Sequence, residues 1–220
     1  MAGPCRPEEQ RGMAVKTPLR YQLSEYDCGP TAMLNAVSYL FEREEIPPEV
    51  IRNIMLYCLD CYGDDGVSGK SGTSCAAMMF LSNWLNGFGK VGRLPISSQY
   101  LFGEQVRIGS GSQICDALRQ GGVAVVRLFL DEWHYVSLTG WEEGKVYLFD
   151  PYFIQGTFDQ KEIEIVSDHP FQYNRIIPQS FFDREELELY ALGPASTREA
   201  VVLFNEKTRL TAEKTIEYFI

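Results

Sequence analysis

No apolar run in this sequence is long enough to cross a bilayer. The longest uncharged apolar stretches, such as Cys75 to Leu81, fall far short of the roughly 20 residues a spanning helix needs. Residues 1–12, Met-Ala-Gly-Pro-Cys-Arg-Pro-Glu-Glu-Gln-Arg-Gly, hold no apolar signal segment. Membrane insertion and secretion are therefore not expected, and the cytoplasm is the expected location. A Lys/Arg cluster is missing too: 20 basic residues stand against 30 acidic ones, a formal net charge of −10. Such a chain repels a phosphate backbone, so neither nucleic acid nor an anionic membrane is an expected partner. Dense cysteine spacing is also absent. The six cysteines, at 5, 28, 58, 61, 75 and 115, lack the pattern of a secreted mini-protein and read as thiols of a cytosolic chain. There is no repeat, no low-complexity tract and no clear linker.

What is present is ordinary for a globular protein, 45% apolar and 23% charged residues in a chain of 220. That is enough chain to bury a core as one domain. Residues 1–16, rich in Pro, Gly and charge, read as a loose tail in which Met13 is a second candidate start. The domain spans 17–220, with its core beginning near Leu19. Cys28 to Phe41 reads as a helix with Gly29-Pro30 in its first turn and Met33, Leu34, Val37, Leu40 and Phe41 on one face. A second helix starts at Pro47-Pro48 and carries Val50, Ile51, Ile54, Met55 and Cys58. Gly63 to Gly72 is too rich in glycine for regular structure. Ser74 caps a third helix bearing Met78, Leu81 and Leu85, and Ser112 a short fourth that stops at Gly121-Gly122. Cys58, Cys75 and Cys115 fall on apolar helix faces. The pattern then changes to strands at Val123 to Leu130, Tyr135 to Thr139 and Lys145 to Phe149, with weaker candidates at 162–166, 173–177 and 200–204. Helices first and antiparallel strands after is the order of an α+β fold, with N-terminal helices packed on an antiparallel sheet.

Cys28 stands just before the first helix, where unpaired amide N–H groups and the positive end of the helix dipole favour a thiolate nucleophile. The plainer role for such a residue is a small buried thiol. His134, one of two histidines, lies at the mouth of a strand, and Asp150 ends the next. Antiparallel pairing about a 141–143 loop sets Gly140 opposite Gly144, Leu138 opposite Val146, Val136 opposite Leu148 and His134 opposite Asp150. Directly opposed side chains share a face with Cβ atoms roughly 5 Å apart, whereas a one-residue slip would separate them. A carboxylate on one ring nitrogen leaves the other for a nucleophile, the logic of a catalytic triad. The competing role is a histidine merely satisfied by a carboxylate. Gln22, six residues before Cys28, can donate its amide to an oxyanion beside the Cys28 N–H.

Other signals are discounted. Cys58-Leu59-Asp60-Cys61 offers half of a zinc site, but the second close pair is absent. Gly69-Lys70-Ser71 resembles the end of a phosphate-binding loop, but Gly63 is one residue too far upstream and a helix precedes the loop. His169 reads as part of a turn. No metal and no cofactor are expected.

The segment Gln22-Leu23-Ser24-Glu25-Tyr26-Asp27-Cys28-Gly29-Pro30-Thr31-Ala32 resembles the nucleophile segment of the double-glycine leader peptidases, the papain-like bacteriocin-processing family. Trp133-His134-Tyr135-Val136-Ser137-Leu138-Thr139-Gly140 and Val146-Tyr147-Leu148-Phe149-Asp150-Pro151 resemble its His and Asp segments, and Gly72-Thr73-Ser74 fits the broader group. The resemblance covers roughly residues 19–155. It implies a papain-like fold in a stand-alone form, with Cys28 as nucleophile, His134 as base, Asp150 as its orienter and Gln22 in the oxyanion hole. Residues from about 156 have no counterpart in it and are expected to form a C-terminal extension of the same domain. The expected function is a cysteine peptidase acting on a peptide or protein substrate, a leader peptide among them, through a thioester. An acyl- or peptidyltransferase using the same triad and a non-catalytic binding module of the same fold are the alternatives.

Overall fold

The computed structural model describes residues 15–63 and 66–211. Met13, Cys5 and most of the expected tail lie outside the described residues. Helix α1 (Cys28–Leu40) starts with Pro30 in its first turn and is buried on nearly every side. Small residues allow this: Ala32 and Ala36 are fully buried, and the Ala32 carbonyl accepts a 2.9 Å bond from the Ser137 hydroxyl. Helix α2 (Pro48–Tyr57) follows Pro at its first position. Its inward face is narrower than expected. Val50, Ile54 and Cys58, four residues apart, are fully buried, but Ile51 and Met55 are 45% and 46% exposed. Helix α3 (Cys75–Lys90) is capped by Ser74, whose hydroxyl accepts the Ala77 N–H at 3.1 Å. Met78, Leu81 and Leu85 are buried as expected, whereas Cys75, in the first turn, is exposed. The short α4 (Gln113–Arg119) has the same cap from Ser112 to the Cys115 N–H.

Among the described residues seven strands follow or interleave: β1 (Ile96–Phe102), β2 (Val123–Leu130), β3 (Glu132–Glu142), β4 (Lys145–Phe149), β5 (Glu164–Ile165), β6 (Arg175–Pro178) and β7 (Glu199–Asn205). They form one antiparallel sheet in the order β1-β7-β2-β3-β4-β6-β5. Strand β1 was not expected, because Ile-Ser-Ser-Gln-Tyr-Leu-Phe lacks the apolar alternation that marks a strand. Residues beyond 156 supply β5 to β7, and β7 lies inside the sheet between β1 and β2. Both sheet faces are covered, which is why β2 is apolar at almost every position. Val123, Val125, Val201 and Leu203 pack with α1, α2 and α3 on one side. Ala124, Val126, Val136 and Leu148 pack on the other with α4 and with Phe181, Phe182, Tyr190 and Leu192. The molecule is thus a mixed helix and antiparallel-sheet protein. None of its described helices is long and apolar enough to cross a membrane.

Gly29 fixes the seat of Cys28. A Cβ at Gly29 would stand 2.7 Å from the Thr73 Cβ, and Thr73 is itself anchored by donating its hydroxyl to the Cys58 carbonyl. Overpacking of this kind costs about 1–3 kcal/mol, more than the roughly 1 kcal/mol that Ala gains over Gly within a helix. Gly29→Ala is expected to lower the denaturation midpoint. A midpoint at or above that of the parent would show that the Thr73 loop yields freely.

Candidate active site

Strands β3 and β4 meet through Glu143 and Gly144, both at positive φ (49° and 78°), the two-residue turn whose twist suits a hairpin. The expected 141–143 loop and the pairings drawn from it do not form. Glu142 instead faces Lys145, Gly140 faces Tyr147, Thr139 is the extra residue of a bulge, and Leu138 faces Leu148. Leu138 is thereby displaced two residues from its expected partner, Val146. An even displacement preserves the face each side chain occupies, so His134 and Asp150 remain on one side, diagonal rather than opposite. His134 Nε2 and Asp150 Oδ1 are 2.8 Å apart.

With Nε2 committed to Asp150, Nδ1 is the ring nitrogen left over, and the Cys28 sulfur is near enough to act on the charge of the ring. Cys28 and His134 are 6% and 7% exposed. Burial opposes the charged imidazole, but the Asp150 carboxylate and then the Cys28 sulfur outweigh it and raise the pKa of His134 above the ordinary range. Asp150 shows the mirror image. Burial alone would raise it, but His134, the Tyr152 amide and the Arg175 guanidinium hold it below the usual carboxylate range. The pair is therefore held as imidazolium and carboxylate across neutral pH.

Asp150 has no solvent exposure, so each of its oxygens must find donors inside the protein. Oδ1 takes His134 and the Tyr152 N–H (2.8 Å), and Oδ2 takes the Tyr190 hydroxyl at 2.9 Å. Asn174 clamps the backbone: its Oδ1 accepts the Asp150 N–H and its amide donates to the Asp150 carbonyl, both at 2.8 Å. Asn174, Arg175 and Tyr190 come from the region beyond 156 and carry no local signal in the sequence.

Gln22 enters the site through a loop organised by Asp27. The Asp27 carboxylate accepts the Leu23 N–H (3.0 Å) and both the N–H and hydroxyl of Ser24 (2.7 Å each). Burial pushes Asp27 up, but these bonds prevail and lower it. Asp27 precedes the first residue of α1 without capping it by its side chain, so its carboxylate is turned back to brace the loop. This role was missed, although an Asp at a helix start is a readable capping signal. One amide N–H of Gln22 goes to the Ser24 carbonyl at 2.7 Å, leaving the second free. Cys28 and Gly29 open α1, where amide N–H groups have no intrahelical acceptor, and Pro30 has no N–H at all.

Gln22, Cys28 and His134 line one cleft of about 680 Å³, together with Trp133, Tyr152 and Phe158. Four carboxylates also border it, Glu25, Asp131, Glu132 and Asp159, with no Lys or Arg among the lining residues. Elsewhere acidic side chains find partners, as in Glu199–Arg127 and Asp183–Arg198. The other discounted residues stay apart from this cleft. Among the described residues no group of three or more His, Cys, Asp or Glu side chains is placed to hold a metal ion. His169 pairs with Asp168 and stacks on Tyr173 at the surface.

The opposed shifts of His134 and Asp150 fix a pH signature. A raised folded value means that the His134 contribution to stability is complete below the unfolded pKa of about 6.5 and is lost as pH rises through the folded one. A depressed one means that the Asp150 contribution is present above about 3.9 and is lost as pH falls further. Asp150→Asn should therefore melt below the parent protein, with the gap in Tm widest between about pH 4 and 6.5. A gap independent of pH would show that the two groups are not ionically coupled.

No protein-family model matches the chain, and no curated protein matches it. Among solved structures, the chain is similar to the one described as "Crystal structure of a double glycine motif protease from AMS/PCAT transporter in complex with the leader peptide", with a TM-score of 0.42 and 15% sequence identity, over 89% of this chain and 94% of that one.

Proposed function

We propose that this chain is a cysteine peptidase of papain-like fold, acting on a peptide or protein through Cys28, His134, Asp150 and Gln22. The observation that carries the proposal is the buried 2.8 Å His134–Asp150 bond beside a cleft that Cys28, His134 and Gln22 line together. Cys28 Sγ attacks the scissile carbonyl carbon, and the oxyanion meets the Cys28 N–H and the free N–H of Gln22. His134 gives its proton to the departing amine as the C–N bond breaks, leaving a thioester. Water, deprotonated by His134, attacks that thioester and releases the acid and the thiolate. Asp150 keeps the ring in one orientation throughout.

The test begins without a substrate. Brief iodoacetamide treatment near pH 6, followed by peptide mapping, should label Cys28 ahead of the exposed Cys75, and His134→Ala should abolish that lead. Equal labelling of the two thiols, unaffected by His134→Ala, would show that His134 does not activate Cys28. Cys28→Ser should then abolish turnover, and Asp150→Asn should reduce it by up to about 10⁴-fold, the loss seen when a triad carboxylate is neutralised. Mass analysis of products formed with and without an added amine separates hydrolysis from acyl transfer.

The carboxylates around the cleft set a preference as well. Field lines from one sign of charge focus in a cleft and raise the encounter rate of opposite charges. Peptides bearing Lys or Arg near the scissile bond should therefore exceed matched Glu peptides in kcat/KM by about tenfold at low ionic strength. The margin should shrink at 1 M salt, where the screening length falls to about 3 Å. A ratio that ignores both salt and Glu132→Gln would show that the acidic rim does not steer substrates.

A further inference from the structure

Behind Asp150 lies a second tier that the reaction described above does not use. Tyr190 is fully buried and donates to Asp150 Oδ2 at 2.9 Å, and the Arg175 guanidinium is near enough to act on the phenol electrostatically. Arg175 is 2% exposed. Its Nη1 and Nη2 reach the carbonyls of Asn174 (2.8 Å) and Tyr152 (3.4 Å), and its Nε has no partner. Among the described residues no carboxylate forms a direct ion pair with it. A guanidinium at that depth needs a compensating charge, and the carboxylate it acts on is Asp150. Tyr190 has a backbone rare for its type, with φ at 61°. Bonds from the Tyr190 N–H to the Phe129 carbonyl (2.7 Å) and from the Phe129 N–H to the Ala191 carbonyl (2.8 Å) hold it there.

We propose that Tyr190 and Arg175 are positioning residues for the Cys28–His134–Asp150 chemistry: the phenol fixes the rotation of the Asp150 carboxylate, and the guanidinium behind it preserves the charge of that carboxylate. This inference rests on the peptidase proposal. Oδ2 is taken by Tyr190, so Oδ1 alone is left to face the imidazole, and the ring has one orientation in which to meet Cys28. Phe158 closes the arrangement. Its ring lies 5.8 Å from that of Tyr190 and 5.9 Å from the Arg175 guanidinium, and it also lines the cleft, so an aromatic wall separates the charges from the substrate.

The groups that face Asp150 are His134 from β3, Arg175 from β6, Tyr190, the Tyr152 amide and the neutral Asn174; those that face Tyr190 are Asp150 and Arg175. Tyr190→Phe keeps the ring and deletes the donor. Losing one hydrogen bond to a charged acceptor should move the protonation of Asp150 upward by about one pH unit. Once Asp150 is protonated it no longer supports an imidazolium. The acid limb of Cys28 alkylation, read by peptide mapping from pH 3 to 8, should therefore shift up by that amount. Turnover of Tyr190→Phe should fall in kcat with KM unchanged, and Arg175→Met should shift the acid limb in the same direction while Arg175→Lys restores it. An acid limb identical to that of the parent in folded Tyr190→Phe, with only Tm lowered, would overturn the inference and leave Tyr190 a packing residue. Should Tyr190→Phe not fold, Arg175→Met decides by the same limb. The peptidase proposal fails on a separate result, namely turnover that survives Cys28→Ser.

Discussion

A carboxylate removed entirely from water sets the terms for the rest of this molecule. Asp150 exchanges its hydration for three donors: the imidazole of β3, the amide of Tyr152 and the phenol of Tyr190. Breaking such a buried pair by removing one partner costs about 3–5 kcal/mol, a large share of the 5–15 kcal/mol that holds a typical domain together. The same compensation organises the candidate site and holds the fold. It fixes the His134 ring, and it binds the region beyond 156 to the hairpin that precedes it. Cys28 needs less support of this kind, since it sits at a helix start and Gly29 lets α1 press against Thr73.

The two layers of the protein divide these tasks. Cys28 belongs to the core on the α1–α3 face of the sheet, whereas Tyr190 belongs to the core on the other. His134 and Asp150 sit where β3 begins and β4 has just ended, so the constellation joins the layers at the strand ends. Close-packed interiors transmit displacement instead of absorbing it. A shift of either layer therefore changes the distance between thiol and imidazole, which explains why small residues such as Ala32 and Gly29 line the contact between α1 and its neighbours.

Much of this was legible in the chain, for reasons that can be named. Helix starts were read from Ser74 and Ser112 because a hydroxyl cap is a local signal, and β2 from its wealth of β-branched and large apolar residues. The pairing of His134 with Asp150 was inferred from the wrong register, yet the two side chains do meet, 2.8 Å apart. The turn lies at Glu143-Gly144, and the bulge at Thr139 absorbs one residue, so the error is even and parity survives. Strand β1 was invisible because its serines and glutamine mimic a loop. Asn174, Arg175 and Tyr190 were beyond reach for another reason: their meaning lies in a carboxylate 24 to 40 positions away in the sequence, and no local pattern encodes such a contact. Neither the bond from the Gln22 amide to the Ser24 carbonyl nor the carboxylate that braces its loop, one residue before Cys28, was anticipated.

The place of β7 has a bearing on how this protein comes into being. The last strand described lies between β1 and β2 in the interior of the sheet, so β1 has no hydrogen-bonded neighbour on that side until β7 arrives. During synthesis the Cys28 segment leaves the ribosome more than a hundred residues before the strand that closes the sheet. Long-range pairing of this kind is slow, and the waiting edges of β1 and β2 are exposed meanwhile. Whatever the cleft around Cys28 does therefore waits for β7, and until that strand pairs the chain carries Cys28 without the finished sheet that holds His134 and Asp150 in place.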